Sequence, residues 1–169
     1  SAAAPNQPRP GIITTIGGFA TLDDFDAFQE AALDNKIVMN RLDAIDGLCD
    51  RTHWQVSEVL SGALDMPTGY EAKVVGRTMS VAAPGKRQAL VDAFLGIRDK
   101  VSPDVKPMVS APMSGPISAV RVTTFGTSLQ DLDDQSKEFR GHARSSGVPD
   151  LLSQVPVHHL GRVVYRASV

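Results

Sequence analysis

The chain has 169 residues, 42% of them hydrophobic and 21% charged, with a formal net charge of −2 at pH 7. That length suffices for a domain with its own core, and a charge so near neutral excludes a nucleic-acid binder that works through bulk charge. No apolar run approaches the roughly 18 residues of a membrane span, and the single cysteine, Cys49, can form no internal disulfide, so a cytoplasmic protein without membrane or nucleic-acid partners is expected.

Residues 1–10 are small residues and prolines and read as a disordered arm. Gly11 to Phe19 is rich in β-branched residues and predicts a strand that ends at Gly17-Gly18. Thr21 with Asp24 three residues on is close to a capping box. Leu22, Phe25, Phe28 and Ala32 then follow at helical spacing, and Val38, Leu42, Ile45 and Cys49 carry the period on as a second helix or a continuation. Those apolar neighbours predict a buried, inert thiol at Cys49. Thr52 to Gln55 repeats the cap signal, and Val56, Val59, Leu60, Ala63 and Leu64 predict a third helix. Pro67-Thr68-Gly69 closes this segment.

The pattern then changes. Lys73 to Val81 predicts a strand, and Ala83-Pro84-Gly85 turns the chain into a helix with Leu90, Phe94, Ile97 and Val101 on one face. Lys106 to Met113 predicts a strand at a sheet edge, because Pro107 and Pro112 interrupt it. Ile117 to Phe125 is the strongest strand. Ser128 and Asp131 cap a helix carrying Leu129, Leu132 and Phe139, which Gly147 and Pro149 stop. Val157 to Ala167 predicts the last strand. From residue 70 the order is β-α-β-β-α-β, which gives an antiparallel sheet with both helices on one face. The other face must be covered. Residues 11–169 therefore read as one α+β domain: a ferredoxin-like module over 70–169 behind a largely helical segment over 11–67. A short echo of Thr14–Gly17 and Thr21–Asp26 in Thr123–Gly126 and Ser128–Asp133 makes that first segment a candidate eroded half-module.

Alternation along the strands sets out the candidate site. Val75, Met79 and Val81 share a face with Lys73 and Arg77. Ile117, Ala119 and Phe125 share one with Arg121. Val157, His159, Val163 and Tyr165 share another. A guanidinium on an apolar face needs a partner or a ligand. Either Arg77 and Arg121 pair with acids of the first half, or they converge with His159 and Tyr165 on a cavity, where they would stabilise an enolate or carboxylate and His159 would act as base. Residues 1–67 hold ten acids and four bases and residues 68–169 nine and thirteen, halves of about −6 and +4. That imbalance suits two elements attracting each other, or a basic pocket for an acidic ligand. His158, adjacent to His159, must face the opposite way, so the two cannot readily share a metal, and no metal is expected. The motifs of P-loop enzymes, dinucleotide binders, zinc hydrolases and α/β-hydrolases are all missing.

The strand, the Pro84-Gly85-Lys86 turn, the amphipathic helix, the hairpin, the second helix and the closing strand resemble the dimeric α+β barrel superfamily, over roughly residues 70–169. The resemblance implies a homodimer with a central cavity and an activity related to the antibiotic-biosynthesis monooxygenases and cyclases. On that footing the expected function is a cofactor-independent monooxygenase or cyclase for a small apolar or aromatic, polyketide-like molecule. His159, Arg121, Arg77 and Tyr165 are its catalytic candidates, and Trp54, Phe125 and Met79 contact the substrate. The haem-degrading branch is the alternative: Asn40, Trp54 and His159 supply residue types that surround haem there, though not at its spacing. A non-catalytic small-molecule binder or interaction protein is a third reading.

Overall fold

A computed structural model describes residues 17–49, 55–62, 67, 69–102, 104–113 and 116–164. They fall into two compact units, one up to residue 53 and one from residue 54 on.

The first unit holds α1 (Leu22–Asp34) and α2 (Lys36–Asp46). Thr21 is extended, and its hydroxyl accepts the Asp24 N–H while the Asp24 carboxylate accepts the Thr21 N–H at 3.1 Å, the reciprocal box expected from the sequence. The apolar period does not run through unbroken. Asn35 leaves the helical conformation, and its Oδ1 accepts from the N–H groups of Ile37 and Val38, which starts a second helix. Cys49 is exposed, contrary to the expectation of a buried thiol. The helix ends at Asp46 with Gly47 as its cap, so Cys49 lies beyond the periodic face that was to bury it. The strand expected over 11–19 falls outside the described residues apart from Gly17 to Phe19, which are not in a strand, and Thr14 to Ile16 of the first copy of the internal echo fall outside them too.

The second unit is built on β1 (Ser57–Val59), β2 (Val74–Val81), β3 (Met108–Pro112), β4 (Ala119–Gly126) and β5 (Val157–Arg162), with α3 (Arg87–Lys100) after β2 and α4 (Leu129–Ser145) after β4. The strands pair antiparallel in the order β1-β3-β4-β2-β5. Strands β2 to β5 with α3 and α4 make the ferredoxin-like β-α-β-β-α-β unit. Gly85 at φ +73° makes the turn into α3, a conformation in which a side chain would be strained. Ser128 caps α4 by accepting the Asp131 N–H.

Two expectations change here. The helix expected from Val56 to Leu64 does not form in its described part, which holds the strand β1 over Ser57–Val59. Its backbone is taken by β3: Leu60 N–H donates to Val109 O at 2.8 Å and Met113 N–H to Val56 O at 2.9 Å. A short apolar run fits either period, and the free side of β3 decided the matter. Consequently β3 is not an edge strand, because β1 covers it.

The core lies between the sheet and the two helices. Leu90, Phe94 and Ile97 of α3 bury in one cluster with Val109, Val120 and Val122, and Leu132 of α4 buries over Gly76 and Gly126 of the sheet, each side chain contributing about 1.5–3 kcal/mol. Leu132 comes so close that a Cβ on Gly126 would lie 3.2 Å from its Cβ. No helix among the described residues is long and apolar enough to cross a membrane.

Candidate functional site

The helix-facing side of the sheet is set by Gly76, Val120, Val122 and Gly126, so alternation turns Val75, Arg77, Met79 and Val81 of β2 to the other face. Register completes that face. Arg77 stands opposite Thr123 of β4 and His159 of β5. Met79 stands opposite Arg121 and Val157, and Val75 opposite Phe125 and Gly161. Arg121 is in turn opposite Ser110 of β3. Arg77, Met79, Arg121, Phe125 and His159 thus share one contiguous face: alternation groups them within each strand, and register joins the strands. Trp54 and Tyr165 lie outside the described residues, and no geometry joins them to the group. Asn40 lies on α2, in the first unit.

The two arginines are half-buried and close enough to repel. Burial, and then the charge of Arg121, lowers the pKa of Arg77 from its ordinary value, and burial lowers that of Arg121. Arg121 is held by neutral acceptors: one terminal nitrogen donates to Gln55 Oε1, the other to Ser57 Oγ at 3.5 Å. These partners come from β1 and the residues before it, so the strand that replaced an expected helix also positions a guanidinium. Among the described residues, neither arginine makes an ion pair with a carboxylate. Arg77 Nε is buried without any hydrogen-bond partner.

Two further members went unnoticed in the sequence. Thr123 Oγ1 and Ser110 Oγ, both buried and unpartnered, lie between and beside the arginines. Thr123 was within reach of alternation, two residues after Arg121. Ser110 was not, because only the pairing of β3 with β4 brings it to Arg121.

His158 faces the helices instead. Its Nδ1 is 2.8 Å from Thr78 Oγ1, and burial, then Arg140 and then His159, lowers its pKa. A separate cleft of about 350 Å³ opens between the end of α3 and α4, lined by Ser102, Asp104, Asp131, Asp134, Gln135 and Glu138. None of the residues singled out in the sequence for chemistry lines it. Three of its carboxylates are engaged locally: Glu138 accepts from Ser102, Asp131 from Thr127 and Gln135, and Asp134 from Gln130. Burial would raise the Asp131 pKa, but those hydrogen bonds outweigh it and hold the group low.

No protein-family model and no curated protein matches the sequence. Among solved structures, the chain is similar to a provisionally assigned antibiotic biosynthesis monooxygenase from Chloroflexus aurantiacus, at 16% identity and TM-score 0.44, over 56% of this chain and 97% of that one. It is similar to a NIPSNAP family protein from Agrobacterium tumefaciens at 12% identity and TM-score 0.42, over 60% and 95%. An anthrone oxidase-like protein matches at 14% identity and TM-score 0.42, over 64% of this chain and 52% of that one.

Proposed function

We propose that this chain is a cofactor-independent monooxygenase or cyclase that works on a small apolar or aromatic, polyketide-like substrate bound to the open sheet face. A second copy of the chain closing that face into a cavity is part of the proposal. The observation that carries it is the placement of His159 directly opposite Arg77, on a face where Arg121, Met79 and Phe125 are neighbours.

In the monooxygenase reaction His159 takes a proton from an activated CH₂ flanked by aromatic or carbonyl groups. The guanidinium groups hold the resulting enolate oxygen, which has gained the charge. The carbanion adds to dioxygen, which is reduced to a peroxide, and protonated His159 returns its proton to give the hydroperoxide. Loss of water then leaves a carbonyl, so one oxygen atom enters the product and the other departs in water. Val75, Met79 and Phe125 supply the apolar wall for the rings.

The test is turnover of an anthrone in air, followed by quinone absorbance, with no cofactor added. The wild-type chain is expected to turn it over, and His159→Ala to lose at least about a hundredfold in rate with an unchanged melting temperature, since His159 is exposed on an edge strand. Full activity in His159→Ala, or none in the wild type, would refute the assignment. Light scattering on the eluted protein checks the second copy: a dimer is expected.

A further inference from the structure

Charge and hydrogen-bonding capacity on the open face are one-sided. Arg77 Nε, Ser110 Oγ and Thr123 Oγ1 are each buried and without a partner. All of them can donate. Arg121 beside them is oriented by Gln55 and Ser57, which are neutral, so among the described residues its charge is fixed in place without a carboxylate partner. Along β1 to β5, no residue turned to this face is a carboxylate. Two half-buried cations and two buried hydroxyls without an acceptor are costly in an empty protein. The same groups make a prepared receptor for an acceptor that carries negative charge.

We propose that this patch binds the carboxylate of an aromatic acid, so that the substrate enters as an anion. The proposal rests on the reading of the open face as the substrate site. The carboxylate oxygens take donors from Arg77, Arg121, Thr123 and Ser110. The ring lies along Val75, Phe125 and Met79, the apolar residues on the same strands. Gly161, opposite Val75, leaves that side of the floor low: a Cβ there would stand 3.1 Å from Val75 Cγ1. Donors beside an apolar floor suit an organic acid better than a free inorganic anion, which would leave the floor uncovered.

Calorimetric titration of the whole chain with 2-naphthoate is the test, with 2-naphthamide as the neutral counterpart and inorganic phosphate as competitor. Naphthoate is expected to saturate at one per chain, with the amide at least about tenfold weaker and phosphate failing to displace it. Arg77→Met is expected to weaken naphthoate about tenfold while raising the melting temperature of the ligand-free protein, because it removes an unpaired, half-buried charge. Thr123→Val, which keeps shape and fold, is expected to weaken it about threefold. Absence of binding, equal affinity for the amide, displacement by equimolar phosphate, or unchanged affinity in both variants would each overturn the proposal. Failure of this anion site alone would leave the turnover of a neutral anthrone and its loss in His159→Ala intact. Failure of the proposed reaction alone would leave naphthoate binding and the order of the variants intact.

Discussion

His158 and His159 are neighbours in the chain with opposite fates, because a strand sends successive side chains to opposite faces. His159 stands across from Arg77, while His158 meets Thr78 and the α4 side. Burial, Arg140 and His159 lower the His158 pKa below the ordinary 6.5. The unfolded ring therefore holds its proton more tightly than the folded one. The stability that the neutral ring contributes is fully present above pH 6.5 and is lost as pH falls through the lower folded value. Melting curves from about pH 7.5 down to about pH 5 are expected to show a falling midpoint, and His158→Asn to flatten that fall. An equal slope in the variant would place the effect elsewhere. At this scale the sequence was readable wherever alternation alone sufficed: counting by twos puts Arg77 with Met79 and Arg121 with Phe125, while register brings those faces and His159 together. It was unreadable for Ser110, whose place depends on register between two strands.

Elements were legible where a cap or a turn marks them. Thr21 and Ser128 announce α1 and α4, and Gly85 announces the start of α3. They were not legible where a short apolar run stood without such a mark. Val56, Val59 and Leu60 suit a helix by spacing, but the hydrogen-bonding groups of β3 claim them as a strand from a distance in sequence that no local pattern reports. Cys49 was misplaced for a related reason: the apolar period outlasts the helix that it was taken to describe. Packing between α4 and the sheet supplies a sharp test. At Gly126 a Cβ would lie 3.1 Å from Ser128 O and 3.2 Å from Leu132 N, and backbone cannot swing aside as a side chain can. Gly126→Ala is expected to cost about 1–3 kcal/mol, read as a drop in the midpoint of urea unfolding with an unchanged slope. A variant as stable as the wild type would mean that α4 is held less tightly than this packing implies.

At the scale of the molecule, the buried apolar cluster is drawn wholly from the second unit, and neither helix of the first contains a buried residue. A chain beginning at residue 54 is therefore expected to keep a single cooperative melt within a few degrees of the full chain, checked by calorimetry. Loss of that transition would show that the first unit contributes to the core. The arrangement of β2 to β5 was legible from the order of strands and helices, because few topologies accommodate β-α-β-β-α-β. The fifth strand was not, since β1 consists of Ser57 to Val59 only and carries no strand signal of its own.

The central position of β2 has a kinetic consequence. It pairs on one side with β4 and on the other with β5, and its Thr78 meets His158 across 80 residues of chain. Closing loops of that size costs entropy before any contact repays it, so folding is expected on the millisecond-to-second scale of proteins rich in distant contacts. During synthesis β2 emerges long before either neighbour and waits with both edges open. The wait lasts until β4 emerges, so slower translation through α3 and β3 lengthens the time for which both edges of β2 stand open.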